Sequence, residues 1–300
     1  MKATAQPLPQ TAIIEKGRLT VFSDLIKARL TFLVLLTTLV GFYVGFRGRI
    51  DWLLLVHTML GTFLVASGAA ALNQFLEREH DAKMRRTEDR PLPSGRLEPT
   101  TVLVLGATAG GLGLIYLGIA VNPLTSLLGA ITLASYLFVY TPLKRITTFN
   151  TIVGAIPGAL PPLMGWTAAR GQISAGGWSL FAILFFWQLP HFLAIAWIYR
   201  DEYARAGFKM LPVVDPKGQR TGSQAVSHTL GLLPVSLAPY VFHLAGPIYL
   251  AGAFALGITF LWFAVQFSRQ LTIPRARQLF FASILYLPLL LGLMVLDKIK

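Results

Sequence analysis

Cysteine is absent from all 300 residues. That absence excludes disulfide frameworks, thiolate zinc sites and cysteine nucleophiles, and it leaves the redox compartment open. Charge is scarce as well. Asp, Glu, Lys and Arg make up 13% of the chain, about half the roughly 25% of an average soluble domain. So little charge cannot coat a water-facing surface, which argues against a soluble globular protein. Acids are the scarcest, 13 against 26 Lys and Arg, for a net charge of +13. No Gly-rich phosphate loop, nucleophile elbow or His-Glu zinc motif occurs. What is abundant is apolar: 54% hydrophobic residues, 12% aromatic, and a mean hydropathy of +0.61. Such a composition excludes disorder and points to an integral membrane protein.

A helix needs about 20 mostly apolar residues to cross a bilayer. Nine stretches qualify, near residues 25–45, 52–75, 101–120, 124–140, 150–169, 178–198, 226–243, 247–267 and 278–296. The expected fold class is therefore all-α integral membrane, a nine-helix bundle. Small residues such as Ala66, Ser67, Gly68 and Ala69 let backbones approach closely, as packed membrane helices require. The first ten residues carry no apolar segment beside Lys2, so they do not resemble a cleaved signal. Residues 1–21 are expected to be a short cytoplasmic tail on a bacterial-type chain, and residues 22–300 one membrane domain. With the N-terminus inside, 21 of the 26 Lys and Arg fall on the inner side and 5 on the outer. The positive-inside rule then predicts N-in and C-out. Topology accounts for most of the positive charge, so nucleic acid is not the expected partner; the lipid bilayer is. The longest polar connections, about 77–100 and 199–225, lie on the inner side, and chemistry is expected on that face.

The end of the second stretch reads Asn73-Gln-Phe-Leu-Glu77-Arg-Glu-His-Asp81. Asn73, Glu77 and Asp81 stand at i, i+4 and i+8, one stripe of one helical face. An amide and two carboxylates offer hard oxygens. Magnesium uses one or two carboxylates together with substrate phosphates. Lys83, Arg85, Arg86 and Arg90 follow directly. Taken alone, that cluster reads as ordinary inner-face charge. Beside the acidic stripe it reads as a diphosphate clamp, because guanidinium forks take the phosphate oxygens that the metal leaves free.

Asn-x-x-x-Glu-x-x-x-Asp followed by Arg-Arg-Thr-x-x-Arg-Pro-Leu-x-x-Gly resembles the first signature of the UbiA superfamily of intramembrane prenyltransferases. Tyr140-Thr-Pro-Leu-Lys144-Arg145, Asn150, Gly154 to Ala159, Pro161-Pro162-Leu-Met-Gly165-Trp166 and Trp187-Gln188-Leu-Pro190-His191-Phe192 extend the likeness over residues 20–295. The ordered set is similar to the haem-modifying branch of that superfamily. The resemblance implies helices around a cavity that opens sideways to lipid. It implies transfer of a farnesyl group from farnesyl diphosphate to a vinyl group of haem B, with magnesium as cofactor. Asn73, Glu77 and Asp81 match its metal and catalytic positions. Lys83, Arg86, Arg90, Lys144 and Arg145 stand at its diphosphate-binding ones. It also implies residence in the bacterial inner membrane, service to haem-copper terminal oxidases, and association with haem A synthase or terminal oxidase assembly.

The second acidic motif of the wider superfamily is replaced here. Tyr199-Arg200-Asp201-Glu202-Tyr203 puts tyrosines at i and i+4, with Asp201 as the candidate second-site acid. His191, inside an apolar stretch, is a functional candidate: a haem contact through a ring nitrogen or propionate, or a packed side chain bonded to the carbonyl freed by Pro190. Phe75, Tyr140, Phe185, Phe186 and Trp187 are candidate ring faces for an allylic cation. Two other functions compete. One keeps the fold and changes the acceptor to a phenolic or quinone precursor or a chlorin. The other is a transporter, against which the acids cluster at one face and not at the midplane.

Overall fold

The computed structural model describes residues 16–299, and these are almost entirely helical. The helices are α1 (Arg18–Leu25), α2 (Ala28–Gly45), α3 (Trp52–Asp81), α4 (Pro99–Ala120), α5 (Pro123–Ala134), α6 (Thr141–Ile146), α7 (Asn150–Arg170), α8 (Ala175–Ile198), α9 (Arg200–Arg205), α10 (Leu211–Val214), α11 (Gln219–Val241), α12 (Pro247–Gln270) and α13 (Ile273–Leu296). A π-helical turn, Ser135–Tyr140, joins α5 to α6. Proline at the first or second position starts α4, α5 and α12, where its missing N–H costs nothing. Asp51 and Asn122 cap α3 and α5, accepting from Leu54 N at 2.9 Å and Thr125 N at 2.8 Å.

Among the described residues the nine expected stretches coincide with nine long helices, counting α5 through α6 as one. Among the described residues, eight of these are long and apolar enough to cross a membrane. The exception is α11. Gln219, Arg220, Gln224 and His228 fill its first turns, so its apolar part is shorter than its 23 residues. Large apolar side chains lie exposed around the bundle, among them Phe32, Phe138, Ile119 and Leu285. Such a surface is stable only against lipid, and the chain is a multi-pass membrane protein.

Most of the expected N-terminal tail lies outside the described residues. The expected boundary at residue 21 falls within α1. Gln74 on α3 holds this helix, donating to the Asp24 and Leu25 carbonyls at 2.9 and 2.8 Å. Hydropathy cannot see that capping bond.

Helix neighbours run α3 on α4, α2 on α7, α7 on α8, α8 on α11 and α13, and α11 on α12. The α2–α7 contact is very close. A Cβ at Gly165 would stand 2.0 Å from the Thr38 carbonyl oxygen, so only glycine fits. At one end of the bundle Lys298 donates to the Tyr43 and Phe46 carbonyls at 2.6 and 2.7 Å, which closes the last helix onto α2. At the other end α3 projects. Its 30 residues reach about 45 Å, more than the roughly 30 Å hydrocarbon core. The Asn73–Asp81 stripe therefore sits where the helix leaves the apolar slab.

Candidate functional site

A cavity of about 480 Å³ opens at this second end. Its floor is apolar, lined by Val34, Ala66, Ala70, Pro157 and Pro161 among others. Its upper wall carries Asn73, Glu77, Asp81, Arg86, Arg90 and Lys144. The three stripe residues are 1%, 4% and 2% exposed, so they face the hollow and not bulk water. Burial of two carboxylates needs compensation, and cations from distant elements supply it. Lys144 Nζ on α6 donates to Glu77 Oε1 and Oε2 at 2.8 and 3.1 Å. Arg90 Nη1 donates to Asp81 Oδ2 at 2.6 Å. Asn73 Nδ2 donates to Glu77 Oε2 and Thr141 Oγ1, both at 3.1 Å. Among the described residues nothing donates to Asp81 Oδ1.

The π turn explains why Lys144 reaches so far. Sequence periodicity ends the fourth stretch at Tyr140 and leaves Lys144 in a loop. The extra residue per turn instead lets Thr141 Oγ1 donate to the Tyr136 carbonyl at 2.8 Å, and the helix continues through Ile146. Tyr136 and Tyr140 stack at 5.7 Å on the cavity wall, with Lys144 Nζ 4.5 Å from the Tyr140 centroid. Such turns recur at functional sites. Gly154 is the complement: a Cβ there would lie 2.4 Å from Tyr140 Cε2.

Other candidates are placed elsewhere. Lys83 is exposed and off the cavity. Arg145 is exposed and donates to His80 Nε2 at 3.3 Å, while His80 Nδ1–H donates to the Ala206 carbonyl at 2.8 Å. Arg145 thus ties α6 to the connection after α9. Asp201 lies off the cavity lining. Its side chain is 90% exposed beside Arg200. Its neighbour Glu202 turns toward the site instead, accepting from the Arg86 backbone N–H at 3.3 Å. Arg86 Nη2 also donates to Tyr203 Oη at 3.3 Å, and its guanidinium stands 5.5 and 5.9 Å from the Tyr199 and Tyr203 rings. Of the ring candidates, Tyr140 lines the cavity. Phe185, Phe186 and Trp187 pack against the main core, and Phe75 lies under Arg78.

His191 is not a cavity-lining residue, although Gln188, Phe192 and Ile195 on the same helix are. Its ring is sandwiched between Trp187 and Phe280, each at 5.1 Å. It does not bond the carbonyl freed by Pro190. Ser283 Oγ donates to the Phe280 carbonyl at 2.5 Å and lies 2.7 Å from His191 Nδ1. The hydroxyl has one proton, so His191 Nδ1–H is the donor to Ser283 and Nε2 keeps its lone pair.

The cavity is roofed by Met84, Phe208 and Met210, part of a small apolar cluster with Ala196 and Ala206. Outside it a polar strap crosses from the start of α1. Lys16 Nζ bridges Asp24 at 2.8 Å and Asp89 at 2.6 Å, and Arg96 Nη2 reaches Asp89 at 2.5 Å. Hydrogen bonds from Lys16 and Arg96 hold the Asp89 carboxyl below its ordinary value. Bonds to Asp24 and Asp89 raise Lys16.

The donor set suits a magnesium–diphosphate. Among the described residues no cluster of three His, Cys, Asp or Glu is arranged to hold a cation unaided, so phosphate oxygens or water would complete a coordination shell. Asp81 Oδ1 is the open ligand. Four cations, Lys27, Arg86, Arg90 and Lys144, face two carboxylates across the hollow. That surplus of positive charge fits a polyanion. Sequence reasoning missed Lys27, Tyr136 and Thr141. By sequence position Lys27 is one of the 21 inner-side charges and nothing more.

Bundle and hollow together define a membrane-embedded enzyme for an anionic substrate with an apolar tail. The model of the UbiA prenyltransferase family matches residues 34–285. A protoheme IX farnesyltransferase of Solibacter usitatus is 49% identical over 286 residues, covering 92% of this chain and 98% of the relative. One of Koribacter versatilis is 42% identical over 99% of both chains. Two solved structures share the fold. One is digeranylgeranylglyceryl phosphate synthase, TM-score 0.79 at 16% identity, covering 93% of this chain and 98% of the other. The other is a UbiA homolog from Archaeoglobus fulgidus bound to GPP and Mg2+, TM-score 0.65 at 14% identity, covering 91% and 99%. The chain belongs to the UbiA prenyltransferase family.

Proposed function

We propose that the chain transfers the farnesyl group of farnesyl diphosphate to a vinyl group of haem B, giving haem O. The carrying observation is the buried Asn73–Glu77–Asp81 stripe opening on an apolar hollow. The likeness to protoheme IX farnesyltransferases along nearly the whole chain selects the acceptor. Asn73, Glu77 and Asp81 would hold magnesium, which supplies charge neutralisation of the leaving diphosphate. Arg86, Arg90 and Lys144 bind and orient the phosphate oxygens. The allylic C–O bond breaks and its electron pair leaves with diphosphate. The Tyr136 and Tyr140 ring faces stabilise the allylic cation, and the apolar floor keeps water from it. The vinyl π bond supplies the electrons of the new C–C bond. Water adds at the adjacent carbon, a proton is released, and a hydroxyethylfarnesyl substituent remains.

If His191 contacts haem it does so through Nε2, which its Nδ1–H bond to Ser283 leaves unprotonated, from outside the cavity lining. Ligand histidines characteristically donate their other N–H to a neighbour, as His191 does to Ser283. The protein sits N-in and C-out in the bacterial inner membrane, with the cavity on the cytoplasmic side, because the cation-rich end is the cavity end. Its product supplies haem-copper oxidases, and it associates with haem A synthase or terminal oxidase assembly.

Expression in cells lacking haem O tests the reaction. A pigment heavier than haem B by farnesyl plus water is expected. Labelled farnesyl transferred to 4-hydroxybenzoate and not to haem B would contradict it. For His191→Ala, weaker haem binding restored by free imidazole is expected, with farnesyl diphosphate affinity unchanged.

A further inference from the structure

Lys27 stands at the break between α1 and α2 with φ +48°. A left-handed backbone is uncommon for a residue with a side chain, and its strain persists where surrounding contacts enforce it. Gln74 enforces it by capping the last carbonyls of α1, so the chain must turn at residue 27. The turn sends the Lys27 side chain into the cavity, where Nζ donates to Asn73 Oδ1 at 2.7 Å. Of the other cations lining the cavity, Lys144 pairs with Glu77 and Arg90 with Asp81, while Arg86 is exposed to solvent. Lys27 rests on a neutral amide, and no carboxylate lies within ion-pair distance among the described residues. Lys27 is half-buried, an ammonium held away from bulk water without an anion is costly, and an anionic ligand would supply the missing partner.

We propose that Lys27 is a substrate-binding residue, an ammonium aimed by the Gln74-capped α1–α2 turn to ion-pair with the diphosphate of the prenyl donor. The idea rests on reading the cavity as the diphosphate site. It adds that the N-terminal segment, and not only the α3 tip and its loop, builds that site. In the ligand-free chain Lys27 holds the Asn73 oxygen, with the amide N–H groups on Glu77 and Thr141; ion-pairing of Lys27 with diphosphate would release that oxygen for magnesium.

The test is calorimetric titration of the purified full chain with magnesium and inorganic diphosphate. Lys27→Gln keeps a donor for Asn73 and removes the charge. Hydrogen bonds to charged groups contribute about 1.5–3 kcal/mol, so binding should weaken about 10- to 100-fold. Lys27→Arg should stay within about threefold of the parent, since it keeps the charge. Diphosphate binding by Lys27→Gln equal to the parent's would reduce Lys27 to a positioner of Asn73 and overturn the proposal. So would an Arg variant as weak as the Gln variant, which would make shape and not charge decisive. If Lys27→Gln does not survive purification, Gln74→Ala carries the same test, because Gln74 lies off the cavity. Weaker diphosphate binding is expected there, and unchanged binding contradicts the proposal. Failure of the unaltered chain to bind magnesium diphosphate would instead sink the reading of the cavity itself.

Discussion

The tips of α3 and α8 meet the same cavity from two sides and bring opposite chemistry. From α3 come an amide and two carboxylates, all buried and each met by a cation or amide. From α8 and α9 come Gln188, Phe192, Ile195 and Tyr203, with no carboxylate on the lining. Of the two acids on α9, Glu202 accepts from the Arg86 backbone N–H and Asp201 faces solvent. One tip is built to hold a metal-bound leaving group. The other presents rings and an apolar wall, and its tyrosines grip an arginine. The proposed function therefore places its metal at the α3 tip, and on the α8–α9 side Arg86 is held by Tyr203 and the Tyr199 ring. Substitutions on the two tips should therefore have unequal effects.

The largest effect belongs to α3. Asp81→Ala and Asn73→Ala should lower kcat for farnesyl transfer at least about a hundredfold, the scale of losing one group that stabilises transition-state charge. Membrane insertion and gel-filtration behaviour should stay unchanged. Full turnover in either variant would misplace the metal. Lys144→Ala comes next. It strands Glu77, whose side chain is 6% exposed, and a broken buried pair costs about 3–5 kcal/mol. A large drop in melting temperature is expected, and the double variant Lys144→Ala/Glu77→Gln should recover much of it.

On the opposite tip, Tyr203→Phe removes one hydrogen bond to Arg86. A hydrogen bond contributes about 0.5–1.5 kcal/mol, so the KM for farnesyl diphosphate should rise up to about tenfold with kcat little changed. Asp201→Asn should do nothing measurable, since the carboxylate faces solvent. A loss as large as that of Asp81→Ala would restore a second acidic site. The smallest effect lies in the strap. Because Asp89 is depressed in the folded protein, its stabilisation is present above the ordinary carboxylate value and is lost as pH falls through the lowered folded value. The pair is exposed and salt screens it. Protease nicking of residues 82–97 should rise modestly at acid pH, and Asp89→Asn should flatten that dependence.

What could be read from the residues alone was whatever helix periodicity controls. Asn73, Glu77 and Asp81 share a face because four residues make about one turn, and apolar runs of bilayer length set the bundle. Contacts between distant segments stayed hidden. Lys27 reaches Asn73 across 46 positions, through a break that hydropathy reads as continuous span. Lys144 enters the site because a π turn rotates and prolongs the helix. Asp201 looked promising beside the tyrosines, but helix rotation in α9 turns it outward and gives Glu202 the inward place. Lys83 and Arg145 belong to the same charge clusters but stand exposed, off the cavity lining.

The most direct test is a structure with manganese in place of magnesium and an unreactive thio analogue of farnesyl diphosphate. The account predicts one anomalous peak within roughly 2.2 Å of an Asp81 oxygen, between the α3 tip and the diphosphate, with the isoprenoid tail lying over Tyr136 and Tyr140. A metal held at the α8–α9 tip, or a diphosphate bound away from Asn73, Glu77 and Asp81, would contradict it.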